Sequence, residues 1–347
     1  MNVPVELAPL DRAAMATVRE HLDRLTKPPG SLGRLEALIV QLAGITGSDA
    51  PRVEQPSIVV FAADHGVTAQ GVSAYPGAVT AQMVANFVAG GAAINVLARA
   101  AGAKLTVVDV GVVGPELPVS SRVRAGTRDM TVEPAMTRDE VLRAIGIGRD
   151  VARGIVADGC DAIALGEMGI GNTTSASALV AALTGRPPAE VTGRGTGLDD
   201  AAVRRKVAVI EAALRLHQPG RDDPLGTLAA VGGLEIAALI GAMLAGGESH
   251  IPIMLDGFIT GAAALVAVGI APTLAPRLIA SHRSAEPGHR VVLEQLGLEP
   301  LLDLDLRLGE GSGAALALPL LRAGTLLLAE MATFESAGVS GPPLEGG

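Results

Sequence analysis

Ala162-Ile163-Ala164-Leu165-Gly166-Glu167-Met168-Gly169-Ile170-Gly171-Asn172-Thr173-Thr174-Ser175 passes from a short apolar run through three glycines into residues suited to a helix start. Four apolar residues bounded by a glycine turn read as a buried strand, and Asn or Thr then caps the helix that follows. Such a turn exposes backbone N–H groups and suits an anion, although a well-capped strand-to-helix connection needs no ligand. The spacing is neither that of a Gly-Lys-Ser/Thr phosphate loop nor G-x-G-x-x-G. A strand that feeds a helix is the repeating unit of a parallel sheet covered on both faces.

The same unit recurs along the chain. Apolar runs at 57–61, 105–110, 251–255, 278–280 and 301–306 join 162–165 as six candidate strands, with crossover helices expected at 78–101, 138–157, 199–216 and 225–244. The expected fold is α/β, a six-stranded, mainly parallel Rossmann-like sheet flanked by helices. Each strand ends in polar residues or glycine: Asp64-His65-Gly66, Asp109 with Gly111, Gly166-Glu167, Asp256-Gly257, Ser281-His282-Arg283-Ser284 and Gly309-Glu310-Gly311. Parallel strands bring these ends to one edge, so one shared crevice is expected there. Neither chain end has a strand-like run; helical spacing over 11–25 and 32–42 is broken by Lys27-Pro28-Pro29-Gly30-Ser31. Residues 1–50 and 311–347 are therefore expected to form a small helical lobe beside a large α/β domain, 51–310, that carries the site. The Gly- and Pro-rich tail 338–347 is expected to fray.

Composition narrows the function. The chain has 347 residues, 27 basic against 36 acidic, for a net charge of −9, and no Trp, one Tyr and four Phe. That balance disfavours nucleic acid, which asks for cationic surface and aromatic stacking platforms. Cys160 is the single cysteine, so no intrachain disulfide forms, and the N-terminus lacks the basic start and apolar run of a signal peptide. A cytoplasmic protein is expected. Two apolar segments, 225–247 and 257–275, raise membrane insertion as a rival, but Glu235 interrupts the first and Pro272 and Pro276 the second. Neither has flanking Lys/Arg loops or an aromatic belt.

The chemistry concentrates in a few turns. In Arg307-Leu308-Gly309-Glu310-Gly311-Ser312-Gly313, a carboxylate stands among three glycines between a strand and a helix. It is either a catalytic acid or base, or a solvent-facing charge at a helix N-terminus. Thr192-Gly193-Arg194-Gly195-Thr196-Gly197 is a second glycine turn, and Lys206 beyond it either meets a phosphate or belongs with Arg204 and Arg205 to a solvated face, which the pattern alone favours. His65, His282 and His289 lack H-E-x-x-H or Cys/His spacing, so no metal is expected. Ser281, Ser284 and Ser312 lack a G-x-S-x-G elbow.

Six blocks, in order, carry a resemblance: Lys27-Pro-Pro-Gly-Ser-Leu-Gly-Arg-Leu-Glu36, Ala63-Asp-His-Gly-Val67, Gly166-Glu-Met-Gly-Ile-Gly-Asn-Thr-Thr174, Leu255-Asp-Gly-Phe258, Ser281-His-Arg-Ser-Ala-Glu286 and Arg307-Leu-Gly-Glu-Gly-Ser-Gly-Ala-Ala-Leu316. Together they resemble the nicotinate-nucleotide:dimethylbenzimidazole phosphoribosyltransferase family, which makes the lower-ligand nucleotide of cobalamin. The resemblance implies transfer of the 5-phosphoribosyl group of nicotinate mononucleotide to 5,6-dimethylbenzimidazole, with inversion, by a homodimer that needs no cofactor. It implies Glu310 as catalytic base and Glu167 in the site near ribose or base. It further implies Gly169, Lys206 and Ser284 at the phosphate, Asp256 and Gly309 at the ribose, and Tyr75, Gln82 and Met83 at the aromatic base. The same fold acting on another aromatic base, and a non-catalytic carrier of base or nucleotide, are the alternatives.

Overall fold

A computed structural model describes residues 5, 7–195 and 197–340 of the chain. Residues 341–347 of the expected frayed tail lie outside the described residues. The main sheet is parallel and has five strands: β1 (Pro56–Ala63), β2 (Lys104–Gly111), β3 (Ala162–Met168), β4 (Ile253–Leu255) and β5 (Leu278–Ala280), in the order β2-β1-β3-β4-β5. Every residue of β1 is buried, and its side chains alternate between two cores. Val59, Phe61 and Ala63 join one apolar cluster, Ile58, Val60 and Ala62 the other. A period of two with both faces apolar is what a sheet sandwiched between helical layers requires.

The expected sixth strand is the part the structure corrects. Only Leu302–Asp303 (β7) is extended, and it pairs with His282–Arg283 (β6) as a separate two-stranded parallel ladder. Leu301 N still donates to Ala280 O at 3.0 Å and Leu302 N to Ser281 O at 2.9 Å, so the segment runs beside the continuation of β5. Asp303, Leu304 and Asp305 are exposed and Asp305 takes φ 54°, which ends the strand: with no face buried, nothing holds the extended form.

Helices Arg138–Ala157, Asn172–Thr184, Leu234–Glu248 and Phe258–Ile270 cover one face; Ala78–Ala89, Ala93–Ala101 and the first half of Ser312–Glu330 cover the other. Two expected single helices are broken by glycine. Gly90, at φ 83°, ends one at Ala89, and Gly232-Gly233 divides 225–244 into Pro224–Val231 and Leu234–Glu248. Both segments weighed as membrane spans are core helices. Leu234–Glu248 has 15 residues, all buried through Gly247; at ~1.5 Å per residue it falls short of a ~30 Å hydrocarbon layer. Ala78–Ala101 and Ser312–Glu330 are apolar enough by length and composition, but the first is interrupted at Gly90.

At the chain ends, Asp11 caps the helix Arg12–Arg24, which packs on Arg34–Thr46. Val18, Leu22, Ile39 and Ala43 from this pair form a third cluster with Leu328 from the far end of Ser312–Glu330. Lys27, in the Pro-Pro-Gly break between the pair, is buried and lies 2.8 Å from Glu36.

Candidate active site

A cavity of about 480 Å³ opens at the C-terminal edge of the sheet. Four of the six polar strand ends line it: 167–169 at the end of β3, 256–257 after β4, 282 and 284 in and after β6, and 307–310 after β7. The ends of β1 and β2 do not. Asp64 and Asp109 are turned into backbone hydrogen bonds instead, Asp64 Oδ2 from Val113 N at 2.8 Å and Asp109 Oδ1 from Val112 N at 2.7 Å. The loop 112–127 folds back over these ends, with Thr127 N donating to Asp64 O, and so closes that side of the crevice.

Glu310 is held by an unusual backbone. Gly309, Glu310 and Gly311 all take positive φ, at 82°, 62° and 87°, and the middle one carries a side chain that resists this conformation. Glu310 N donates to Glu167 O at 3.2 Å, fastening the turn to β3. The turn rests so closely on the strand that a Cβ on Gly166 would lie 2.5 Å from Glu310 O and from Gly311 N. The carboxylate is buried, with Oε2 accepting from Ile94 N at 3.3 Å. Burial raises its pKa above the ordinary value, and the Ile94 hydrogen bond offsets part of that rise.

Two further carboxyls meet it. Burial pushes Glu167 well above the usual carboxylate range, and the nearby Asp256, Glu235 and Glu310 add to the effect; Asn172 Nδ2 donates to its Oε2. Asp256, also buried, sits over the start of Ser312–Glu330 and accepts from Gly313 N at 2.7 Å, Ala314 N at 3.1 Å and Gly311 N at 3.3 Å. Burial still wins over these three donors and lifts it to about 7. Both carboxyls are thus poised to hold a proton, which lightens the negative charge of a cavity that four acidic side chains line.

The polar lining includes Gly169, Asn172, Thr173, Gly195, Ser284, Glu286 and Arg307. Lys206 is behind this wall: fully buried, it donates from Nζ to Thr173 Oγ1 at 2.7 Å, and burial lowers its pKa to about 8. It is neither in the cavity directly nor on a solvated face. Arg307 Nη1 donates to Gly195 O at 3.0 Å, while Glu286 Oε1 accepts from Gly195 N at 2.9 Å, so the second glycine turn is gripped from both sides. Ser284 N donates to His289 Nδ1 at 2.8 Å; burial drops His289 to about 3 and leaves its ring a neutral acceptor. The apolar lining is Tyr75, Val79, Met83, Met168, Ile170, Phe258, Ile259 and Leu308. Among the described residues, no group of three His, Cys, Asp or Glu side chains is arranged to hold a metal ion.

A family model described as phosphoribosyltransferase matches residues 7–339. The chain belongs to this phosphoribosyltransferase family. It is 56% identical over 339 residues to the nicotinate-nucleotide:dimethylbenzimidazole phosphoribosyltransferase of Chloroflexus aggregans, with 96% of each chain covered. It is 55% identical to the protein of that name from Roseiflexus sp., again with 96% of each covered. A crystal structure of the Thermus thermophilus phosphoribosyltransferase of the same name superposes with a TM-score of 0.91 at 50% identity, covering 96% of this chain and all of that one.

For a phosphoribosyltransferase, the cavity gathers eight of the ten residues singled out from sequence: Tyr75, Met83, Glu167, Gly169, Asp256, Ser284, Gly309 and Glu310. Lys206 reaches it through Thr173, and Gln82 is exposed on its helix, away from the lining. Val79 takes Gln82's place beside Met83. A strict reading of helical spacing finds it, since residues four apart share a face and adjacent ones do not. Thr173, Glu286 and Arg307 also line the cavity and are not among the ten; the sequence signal for Thr173 is a hydroxyl at the mouth of the glycine turn.

Proposed function

We propose that the chain transfers the 5-phosphoribosyl group of nicotinate mononucleotide to 5,6-dimethylbenzimidazole, giving α-ribazole 5′-phosphate and nicotinate, with Glu310 as general base. The observation that carries this is the Glu310 carboxylate, buried at the cavity and raised in pKa by that burial. One nitrogen of the benzimidazole attacks the anomeric carbon; the other loses its proton, and a fixed carboxylate of raised basicity takes it. The departing nicotinate starts as a pyridinium and leaves neutral at its ring nitrogen, so it needs little acid assistance. Attack opposite the leaving group converts a β-nucleotide into an α-product.

The glycine turn at Gly169, with Ser284 and the Thr173 hydroxyl, receives the phosphate, and Lys206 contributes its charge through Thr173. Asp256 and Gly309 face the ribose, with Glu167 beside them as a hydrogen-bond partner, its raised pKa favouring the protonated form over the role of a second base. Tyr75 and Met83 bound the aromatic base, and Val79 replaces Gln82 in that role. Positioning of the two substrates supplies much of the remaining rate enhancement.

The test is chromatographic: pure protein with nicotinate mononucleotide and dimethylbenzimidazole is expected to release nicotinate and a new riboside phosphate in equal amounts. Binding of both without turnover identifies a carrier instead. A second reading, transfer to another aromatic base, is favoured by Tyr75, whose 54% exposure leaves the apolar lining open on that side; a panel of bases in the same assay separates the two. A cytoplasmic homodimer belongs to the same proposal, supported by the exposed apolar side chains Val88, Val96, Leu316 and Leu326 on the helices of one sheet face. So does division into a lobe from 1–50 and 311–347 and an α/β domain from 51–310, supported by the separate apolar cluster at the chain ends.

A further inference from the structure

Behind the Gly169–Gly171 turn, three side chains outside the lining of this cavity are joined by hydrogen bonds, with Glu235 Oε2 left without a partner among the described residues. His65 follows β1, Ser175 lies in the first turn of Asn172–Thr184, and Glu235 opens Leu234–Glu248. His65 Nε2 is 2.7 Å from Glu235 Oε1 and Nδ1 is 3.0 Å from Ser175 Oγ, with all three residues buried. A carboxylate accepts, so the ring donates from Nε2, and in the neutral ring Nδ1 accepts the Ser175 hydroxyl proton. The imidazole fills a slot between two glycines. A Cβ on Gly169 would meet its Cδ2 and Nε2 at 3.4 Å, and a Cβ on Gly233 would collide with its Cε1.

The order Ser-His-Glu is that of a hydrolytic triad, but the Ser175 hydroxyl points into the core and no substrate reaches it. What the network joins is the end of β1, the start of Leu234–Glu248 and the first turn of the helix whose N-terminus faces the cavity. We propose that His65 is a positioning residue, a buried strut that sets how the Gly169–Gly171 turn and Thr173 present their donors to the nucleotide. The inference rests on the reading of that turn as the phosphate end.

Two variants test it beside Lys206→Ala. Ser175→Ala removes the hydroxyl with the smallest change of shape; His65→Gln keeps a donor toward Glu235 and loses the acceptor toward Ser175. Each is expected to raise KM for nicotinate mononucleotide about tenfold, the scale of one lost buried hydrogen bond, with kcat and KM for dimethylbenzimidazole within about twofold. A purely structural role lowers Tm or the active fraction without this split between the two substrates, and that result overturns the strut. If Lys206→Ala raises the nucleotide KM and Ser175→Ala does not, the strut fails while the phosphate-end reading stands. If neither raises it, the phosphate-end reading falls and takes the strut with it.

Discussion

Gly166→Ala tests whether the packing of one turn on one strand positions Glu310, the proposed catalytic base. A Cβ at 166 would sit 2.5 Å from Glu310 O, 2.5 Å from Gly311 N and 2.6 Å from Glu310 C, whereas ordinary contact begins at 3.4 Å. β3 cannot yield, because it is hydrogen-bonded on both sides, Gly166 standing opposite Val60 of β1 and Leu165 opposite Leu255 of β4. The turn must therefore move by about 0.9 Å, the difference between ordinary contact and 2.5 Å. A misplacement of about 1 Å costs roughly 10²-fold in rate, about 2.7 kcal/mol of barrier. Overpacking takes roughly 1–3 kcal/mol of stability as well. Steady-state transfer from nicotinate mononucleotide to dimethylbenzimidazole, followed by chromatography beside a thermal melt, is expected to show kcat down by about two orders of magnitude in a folded protein. A folded variant with kcat within about twofold of the parent would refute the idea that this contact aims Glu310.

Glu310→Gln is expected to lower kcat by roughly 10²- to 10⁴-fold with nucleotide binding retained. Because burial raises Glu310, the acid limb of kcat/KM in the parent should lie above the ordinary carboxylate range, activity rising with pH as the base loses its proton; an unshifted limb counts against the assignment. Glu167→Gln is expected to change turnover by less than about tenfold, since burial and the neighbouring carboxyls push the parent side chain toward its protonated form; a loss as deep as that of Glu310→Gln would make Glu167 a base in its own right. Asp256, raised from 3.8 to about 7, binds its proton more tightly in the folded chain, so its contribution to stability is complete below pH 3.8 and is lost as pH rises through about 7. Asp256→Asn should flatten the fall of Tm across that window, and an unchanged slope would remove Asp256 as its cause.

Much of this architecture was legible because buried parallel strands announce themselves: 57–61, 105–110 and 162–165 all lie within observed strands, and 278–280 coincides with one. What composition could not reveal was edge behaviour. The 301–306 run differs from the others in alternating Leu with Asp303 and Asp305, both exposed, and it holds only two residues in a ladder. The glycines at Gly90 and at Gly232-Gly233 do not mark helix breaks by sequence alone, because an apolar run of helical length outweighs one or two glycines until tertiary packing uses them. In the site, short turns carried their residues to the cavity as expected. The miss was depth. Lys206 and His65 stand one layer behind the lining, and a linear pattern marks which residues gather without saying which of them faces in.

The run of three left-handed residues at Gly309-Glu310-Gly311 has a consequence for anyone who improves the protein's durability. A glutamate in that conformation costs roughly 1 kcal/mol or more relative to glycine, and its buried, reluctant charge adds to the cost. Glu310→Gly relieves both at once. A selection for heat resistance alone would therefore harvest it, returning chains that melt later and, with the proposed base gone, are expected to lose transfer. In this fold the proposed catalytic carboxylate is a defect that the rest of the molecule tolerates, and a screen that does not read turnover will repair it.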